Sequence, residues 1–278
     1  MNLSPYTVAA LQWDVRRCDP EANLAIAGDL LREASRRGAR LALLPEMWAT
    51  SFPAPGEEGI LAEASRAQEE LGRLSAELNL LVGGSTALEE GGRVFNAGFL
   101  LDRGRNLGWY RKIHLFRRAG EDRVFSQGDA PFFLETRLGR MGMVVCYDLR
   151  FPELTRWFYP RKVQVLLVPA QWPLARRNHF HLLTRARALE NQCFLLAAGR
   201  SGMDKSPVSG KTTRFAGSSR LVSPWGDVLE ELDPVEEGLL VGTLDLSLVE
   251  SAERELPQRG DRVPGLYRKI WKSWEDQP

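Results

Sequence analysis

The chain has 278 residues, 44% of them hydrophobic and 26% charged, the balance of an ordinary water-soluble α/β protein of one large or two smaller domains. Thirty-seven Lys plus Arg face 36 Asp plus Glu, and a net charge of +1 argues against a nucleic-acid or polyanion binder. A mean hydropathy of −0.28 and the lack of any apolar run near the ~20 residues of a membrane span point away from a membrane role.

The opening MNLSPYTVAALQWDV lacks a basic segment followed by a long apolar one, so no secretory signal is expected. TVAALQWD reads as a strand. Asp19-Pro20 then supplies a cap and a first-turn proline for a helix over residues 21–37, with Leu24, Leu31 and Ala34 on one face. Gly38 ends it, and ARLALLPE follows as a buried strand. A strand–helix–strand unit of this length implies a right-handed crossover and parallel neighbours. A second helix is expected over residues 58–78, then the strand NLLVGGSTA. RVFNAGFLLD and NLGWYRK form a hairpin around Arg103-Gly104-Arg105.

PFFLETRLGRMGMVVCYD holds two more strands, FPELTRWFYPR starts a helix, and VQVLLVPAQW is a strand. NHFHLLTRARALENQ reads as a helix with a Leu182, Leu183, Ala186, Leu189 stripe. The strand CFLLAAGRSG follows. Residues 223–226 turn between two strand runs, and one more strand and a short helix come after. The mixture of crossovers and hairpins suggests a mixed sheet, or two packed sheets flanked by helices. The stretch over residues 256–278 is polar yet carries Leu266, Tyr267, Trp271 and Trp274, which are expected to pack on this chain or on a partner.

Three cysteines, Cys18, Cys146 and Cys193, cannot build a disulfide framework, and none is at CxxC spacing. Reduced thiols, a cytoplasmic location and no zinc site are expected. Cys146 ends the apolar run Met143-Val144-Val145 and precedes a helix start. There backbone N–H groups and the helix dipole favour a thiolate; the alternative is a buried, inert cysteine. Glu46 closes the strand LALLPE, and taken alone it reads equally as a solvated strand-end charge. Lys112 in WYRKIHLF is either a snorkelling surface lysine or a donor to an oxyanion. Glu121 reads as a loop charge nine residues on. Of three histidines, His179 and His181 point to different faces of one helix, and His114 is the one placed by spacing nearest Lys112. No nucleotide-binding fingerprint is present.

The order LLPEMW, YRKIHLF, VVCYDLRFPEL, then PAQWP and RARALENQCF, resembles the nitrilase superfamily, the carbon–nitrogen hydrolases, in register from Val8 to Leu244. The resemblance implies a four-layer α-β-β-α sandwich that is commonly dimeric or a higher homo-oligomer. Residues 1–255 would form the hydrolase domain, with 256–278 a tail at the subunit interface. It further implies that Cys146 is the nucleophile, Glu46 the general base and Lys112 the oxyanion donor with the backbone N–H of Tyr147. Glu121 would be a second glutamate that positions substrate and the other members.

No metal or organic cofactor is implied, and the partner is a small-molecule amide rather than nucleic acid or membrane. Cys146-Tyr147-Asp148 is closer to the amidase branch related to ω-amidases than to true nitrilases. Enzymes of that branch hydrolyse 2-oxoglutaramate or 2-oxosuccinamate. Arg150 is then the candidate for the substrate's far carboxylate, unless it pairs with Asp148 or Glu153 to hold the loop. Arg176 and Arg177 are further candidates, and Trp172 is either pocket wall or core. Other readings are a different C–N substrate (an N-carbamoyl amine, a deaminated-glutathione-type amide or a nitrile), or a non-catalytic scaffold. Cys18 and Cys193 are expected to be structural.

Overall fold

A computed structural model describes residues 4–57, 59–206, 208 and 210–275. Twelve of its strands form two six-stranded sheets. The first runs β14 (Gly238–Leu244), β1 (Tyr6–Gln12), β2 (Ala39–Leu43), β3 (Leu81–Glu90), β4 (Arg93–Asp102), β5 (Arg105–Arg111). The second runs β13 (Val228–Glu231), β12 (Arg220–Val222), β9 (Phe194–Gly199), β8 (Val165–Ala170), β7 (Gly139–Met143), β6 (Phe132–Thr136). A separate hairpin pairs β10 (Met203–Lys205) with β11 (Thr212–Arg214). Each large sheet has three parallel central strands, β1-β2-β3 and β7-β8-β9, flanked by antiparallel ones. β14 leaves the second half of the chain to pair along the whole of β1, which ties the two halves together.

The helices are α1 (Pro20–Arg36), α2 (Ile60–Glu77), α3 (Pro152–Arg156), α4 (Arg177–Asn191), α5 (Ser247–Glu255) and α6 (Pro264–Glu275). Asp19 caps α1, its Oδ1 accepting from Ala22 N at 3.1 Å, with Pro20 in the first turn as the sequence predicts. Glu58, the expected first residue of α2, lies outside the described residues. The alternation of β1 explains the layers. Val8 and Ala10 join the cluster that includes Leu41, Leu43, Met141, Met143 and Leu167 of the two sheets. Ala9 and Leu11 face Ala27, Leu31 and Leu71 of α1 and α2. With α3 and α4 on the second sheet, this is the α-β-β-α sandwich.

The sheets approach closely enough that a Cβ added at Gly98 on β4 would overlap Met143 Sδ on β7. One sequence expectation is corrected. The buried face of α4 is Phe180, Thr184, Arg187, Ala188 and Asn191, whereas Leu182 and Leu189 are 69% and 46% exposed. Polar groups reach the interior there because they are paired. Arg187 donates to Leu149 O at 3.0 Å, and Thr184 accepts from Arg220. On α6, Leu266, Tyr267, Ile270 and Trp271 are exposed. The side chain of Trp274 and residues 276–278 lie outside the described residues.

Candidate active site

Ligands of open α/β sheets bind beyond the carboxyl ends of parallel strands. Three such ends meet here. Glu46 follows β2, Cys146 follows β7, and Gln171 with Trp172 follows β8. They line a cavity of about 560 Å³ together with Lys112, Glu121, Tyr147, Arg150, Arg176 and His179. Its apolar wall includes Phe52, Phe116, Phe125, Trp172 and Phe215. Trp172 is therefore both buried and part of the wall.

Lys112 Nζ lies 2.8 Å from Glu46 Oε1 and 2.9 Å from both oxygens of Glu121. All three side chains are buried. Asn96 Nδ2 bridges the same two carboxylates, at 2.8 Å to Glu46 and 2.9 Å to Glu121. Gln171 holds Glu46 from the other side. Its backbone N donates to Oε2 at 3.0 Å and its Nε2 donates to the Glu46 carbonyl at 2.8 Å. Phe116 N donates to Glu121 Oε2 at 2.6 Å. Neither carboxylate is the solvated charge that its position in the sequence allows. Asn96 and Gln171 carry no catalytic signature. The one clue to Asn96 is a lone amide inside the apolar strand RVFNAGFLLD, which must find buried partners.

Two carboxylates and one ammonium leave the cluster with a net negative charge when all are ionised. Burial and the Glu46 charge push the Cys146 thiol well above the ordinary range, against the opposing pull of Lys112. This corrects the expectation that strand end and helix start would favour a thiolate. Burial raises Glu121 as well; the Lys112 charge opposes this and the nearby Glu46 adds to it. Burial disfavours the charge on Lys112, but Glu121 and Glu46 outweigh it and hold the ammonium above its ordinary range. Such a cluster offers a thiol held above its ordinary range, a carboxylate charge acting on it, and a fixed cation.

Cys146 adopts φ +47°, the left-handed region that costs a side-chain-bearing residue about 1–2 kcal/mol. The turn is held by Asp148, whose Oδ2 accepts from Val145 N at 3.0 Å and from Tyr110 Oη at 2.8 Å. Its Oδ1 accepts from His114 N at 2.9 Å and lies 2.8 Å from His114 Nδ1. Asp148 thus clamps the cysteine turn to the segment that carries Lys112. His114 is absorbed in that clamp, stacked on Phe151 with ring centroids 3.6 Å apart, and it is His179 that lines the cavity.

Arg150 pairs with neither Asp148 nor Glu153. Its guanidinium sits 4.6 Å from the Trp172 ring and 5.9 Å from that of Tyr147, and its Nη1 lies 3.2 Å from His179 Nδ1. No carboxylate within ion-pair distance neutralises it among the described residues. Arg176 also lines the cavity, whereas Arg177 turns toward His181 and Glu231. Cys193 is buried at the start of β9 and half-exposed Cys18 lies beside Glu57, both away from the cavity lining.

Comparison with known proteins gives a consistent picture. The model of the carbon–nitrogen hydrolase family matches residues 7–254. The chain is 31% identical over 265 residues to the 2-oxoglutaramate amidase of Bacillus subtilis, covering 94% of this chain and 99% of that one. It is 30% identical over 281 residues to the omega-amidase of Homo sapiens, covering 95% and 98%. Among solved structures, a CN-hydrolase superfamily protein of Xanthomonas campestris with an arsenic adduct in its active site superposes with a TM-score of 0.83 at 26% identity. That match covers 94% of this chain and 98% of the other.

Proposed function

The chain belongs to the carbon–nitrogen hydrolase family, and on that premise we propose that it is an ω-amidase: it hydrolyses the terminal amide of a small 2-oxo acid amide, such as 2-oxoglutaramate or 2-oxosuccinamate, to the 2-oxo acid and ammonia. The observation that carries this reading is Arg150. An un-neutralised guanidinium held against two aromatic rings in the cavity is suited to take the substrate's far carboxylate in a two-pronged hydrogen bond.

In this reading Cys146 Sγ attacks the amide carbon while its proton passes to Glu46. The raised thiol makes a free resting thiolate costly, so proton transfer accompanies bond formation. Negative charge develops on the carbonyl oxygen, where Lys112 Nζ and the backbone N–H of Tyr147 receive it. A preorganised donor of this kind is worth about 3–4 kcal/mol. The C–N bond then breaks as Glu46 returns the proton to nitrogen, and ammonia leaves. Water, giving its proton to Glu46, attacks the thioester and releases the acid and the Cys146 thiol. Glu121 keeps Lys112 charged and in place.

Residues 1–255 form the catalytic domain in this proposal, and residues 256–278 pack at the interface of a homodimer. The exposed Leu266, Tyr267, Ile270 and Trp271 of α6 support a partner there. An unchanged dimer mass after truncation at residue 255 would sink that part. No helix among the described residues is long and apolar enough to cross a membrane, and three free cysteines are in keeping with a reducing cytoplasm.

The test is ammonia release from 2-oxoglutaramate, 2-oxosuccinamate, glutamine, simple aliphatic amides, N-carbamoyl amino acids and nitriles, with Cys146→Ala as blank. Turnover of the 2-oxo amides well above the others is expected. Preference for another class would keep the chemistry and remove the ω-amidase assignment.

A further inference from the structure

We infer that Arg200 is a positioning residue for this reaction: it ties the β10–β11 hairpin, which walls the cavity, to Glu46 through the side chain of Gln171. The inference rests on the amidase reading above and adds a residue to it.

Arg200 follows β9, and its side chain is 2% exposed. Its Nη1 donates to Gln171 Oε1 at 3.0 Å, Ser51 Oγ at 2.6 Å and Asp204 Oδ2 at 3.1 Å, and its Nη2 donates to Asp14 Oδ1 at 3.0 Å. A guanidinium has donors only, so the Gln171 atom facing it must be the carbonyl oxygen. That fixes the amide's other end. Nε2 must point at the Glu46 carbonyl, while the backbone N of the same residue meets the Glu46 carboxylate. The Arg200 cation and the Glu46 carbonyl thus together decide which way round Gln171 sits, and Gln171 grips Glu46 at two points, with its side chain and with its backbone N.

The other end of the link is the hairpin. Asp204 belongs to β10 and lines the cavity, as do Ser206, Val208, Thr213 and Phe215. Phe215 stacks under the Arg200 guanidinium at 4.4 Å and, through Ala216 N bonded to Trp172 O at 2.7 Å, the hairpin's base is knitted to the loop after β8. At the tip, Val208 packs so close to Gly120 that a Cβ there would overlap it, and Gly120 (φ +81°) directly precedes Glu121. The hairpin therefore bears on the neighbours of both carboxylates. A substrate that seats it correctly also aligns the group that must carry the proton. Misplacement of a reacting group by about 1 Å costs on the order of 10²-fold in rate.

The experiment uses the full chain carrying Arg200→Met, Asp204→Asn or Ser51→Ala. Two readouts are taken: kcat and KM on a 2-oxo amide across pH, and the pH–rate profile of Cys146 alkylation by iodoacetamide. For Arg200→Met, kcat should fall about 10²-fold with KM changed by less than about threefold. The pH profile of kcat/KM should depart from that of the wild type as Gln171 loses its fixed orientation against the Glu46 carbonyl. The alkylation profile should move to lower pH as the Glu46 charge leaves its place beside the thiol. Asp204→Asn and Ser51→Ala leave the guanidinium bonded to Asp14 and Gln171 and should change both profiles by less.

Were Arg200→Met to misfold, Asp204→Asn decides. Folded variants with a lower melting temperature but wild-type kcat and wild-type profiles would overturn the inference, because a merely structural role moves stability alone. If the wild type turned over no amide, the activity assignment would fail while the alkylation arm still tested the link.

Discussion

Nζ of Lys112 lies 2.8 Å from Oε1 of Glu46, and both side chains are 1% exposed. The same ammonium serves Glu121, so two buried carboxylates share one cation. Removing one member of a buried ion pair leaves an uncompensated charge and costs about 3–5 kcal/mol. Lys112→Met should lose that much in urea unfolding and about 10²–10³ in amide turnover. Adding Glu121→Gln to it should return part of the stability and none of the turnover.

Alkaline pH should weaken the fold through several buried groups, Cys193 and Tyr110 among them, and two of them belong to the site. Lys112 is raised above its ordinary value of 10.5, so the stability from its charge is full below 10.5 and is lost as pH rises through the folded value. Cys146 is raised above 9.0, so the fold holds its proton more tightly than the unfolded chain does, and that contribution also fades above 9.0. Cys146→Ala should flatten the decline in unfolding free energy measured between about pH 8 and 11.

Glu46→Gln should separate two properties that a simple loss of structure would remove together. Amide turnover should fall about 10²–10⁴-fold, because the side chain can no longer carry a proton. Alkylation of Cys146 should shift to lower pH, because the neighbouring negative charge that raises the thiol is gone. Alkylation unchanged from wild type would show that burial alone sets the thiol.

Arg150→Met should raise KM for 2-oxo amides about 10–100-fold, the loss of a charge-assisted hydrogen-bonded pair. Aliphatic amides without a carboxylate should change little. An equal loss on both substrates would assign Arg150 to holding the Tyr147 and Trp172 rings instead.

Much of the site can be read from strand grammar. Glu46 and Cys146 each close an apolar run, and apolar runs that end in one polar residue are where crossover sheets present chemistry. Lys112 is less legible, because its neighbours Tyr110, Arg111 and Ile113 fit an edge strand as well as a site. The charge state of Cys146 is not readable along the chain. It depends first on burial and then on Glu46, which lies 100 residues away in sequence and meets the thiol only when the two sheets pack. Asn96, Gln171 and Arg200 are hidden for the same reason: each is ordinary in or just after its own strand and acquires a role from a partner on another element. The Leu182 and Leu189 stripe on α4 fails differently. Helical periodicity locates an apolar face but not what covers it, and Thr184 and Arg187 fill the inner face with paired polar groups.

The backbone at Cys146 sets stability and turnover at odds. A glycine would adopt φ +47° without penalty and would bring no thiol into a negatively charged interior. Variants chosen only for heat resistance should therefore drift toward Cys146→Gly, a change that relieves about 1 kcal/mol of backbone cost and ends catalysis. At this position a cysteine persists only under demand for the reaction, and a library scored on melting temperature without an activity assay would discard the residue that the rest of the site is built around.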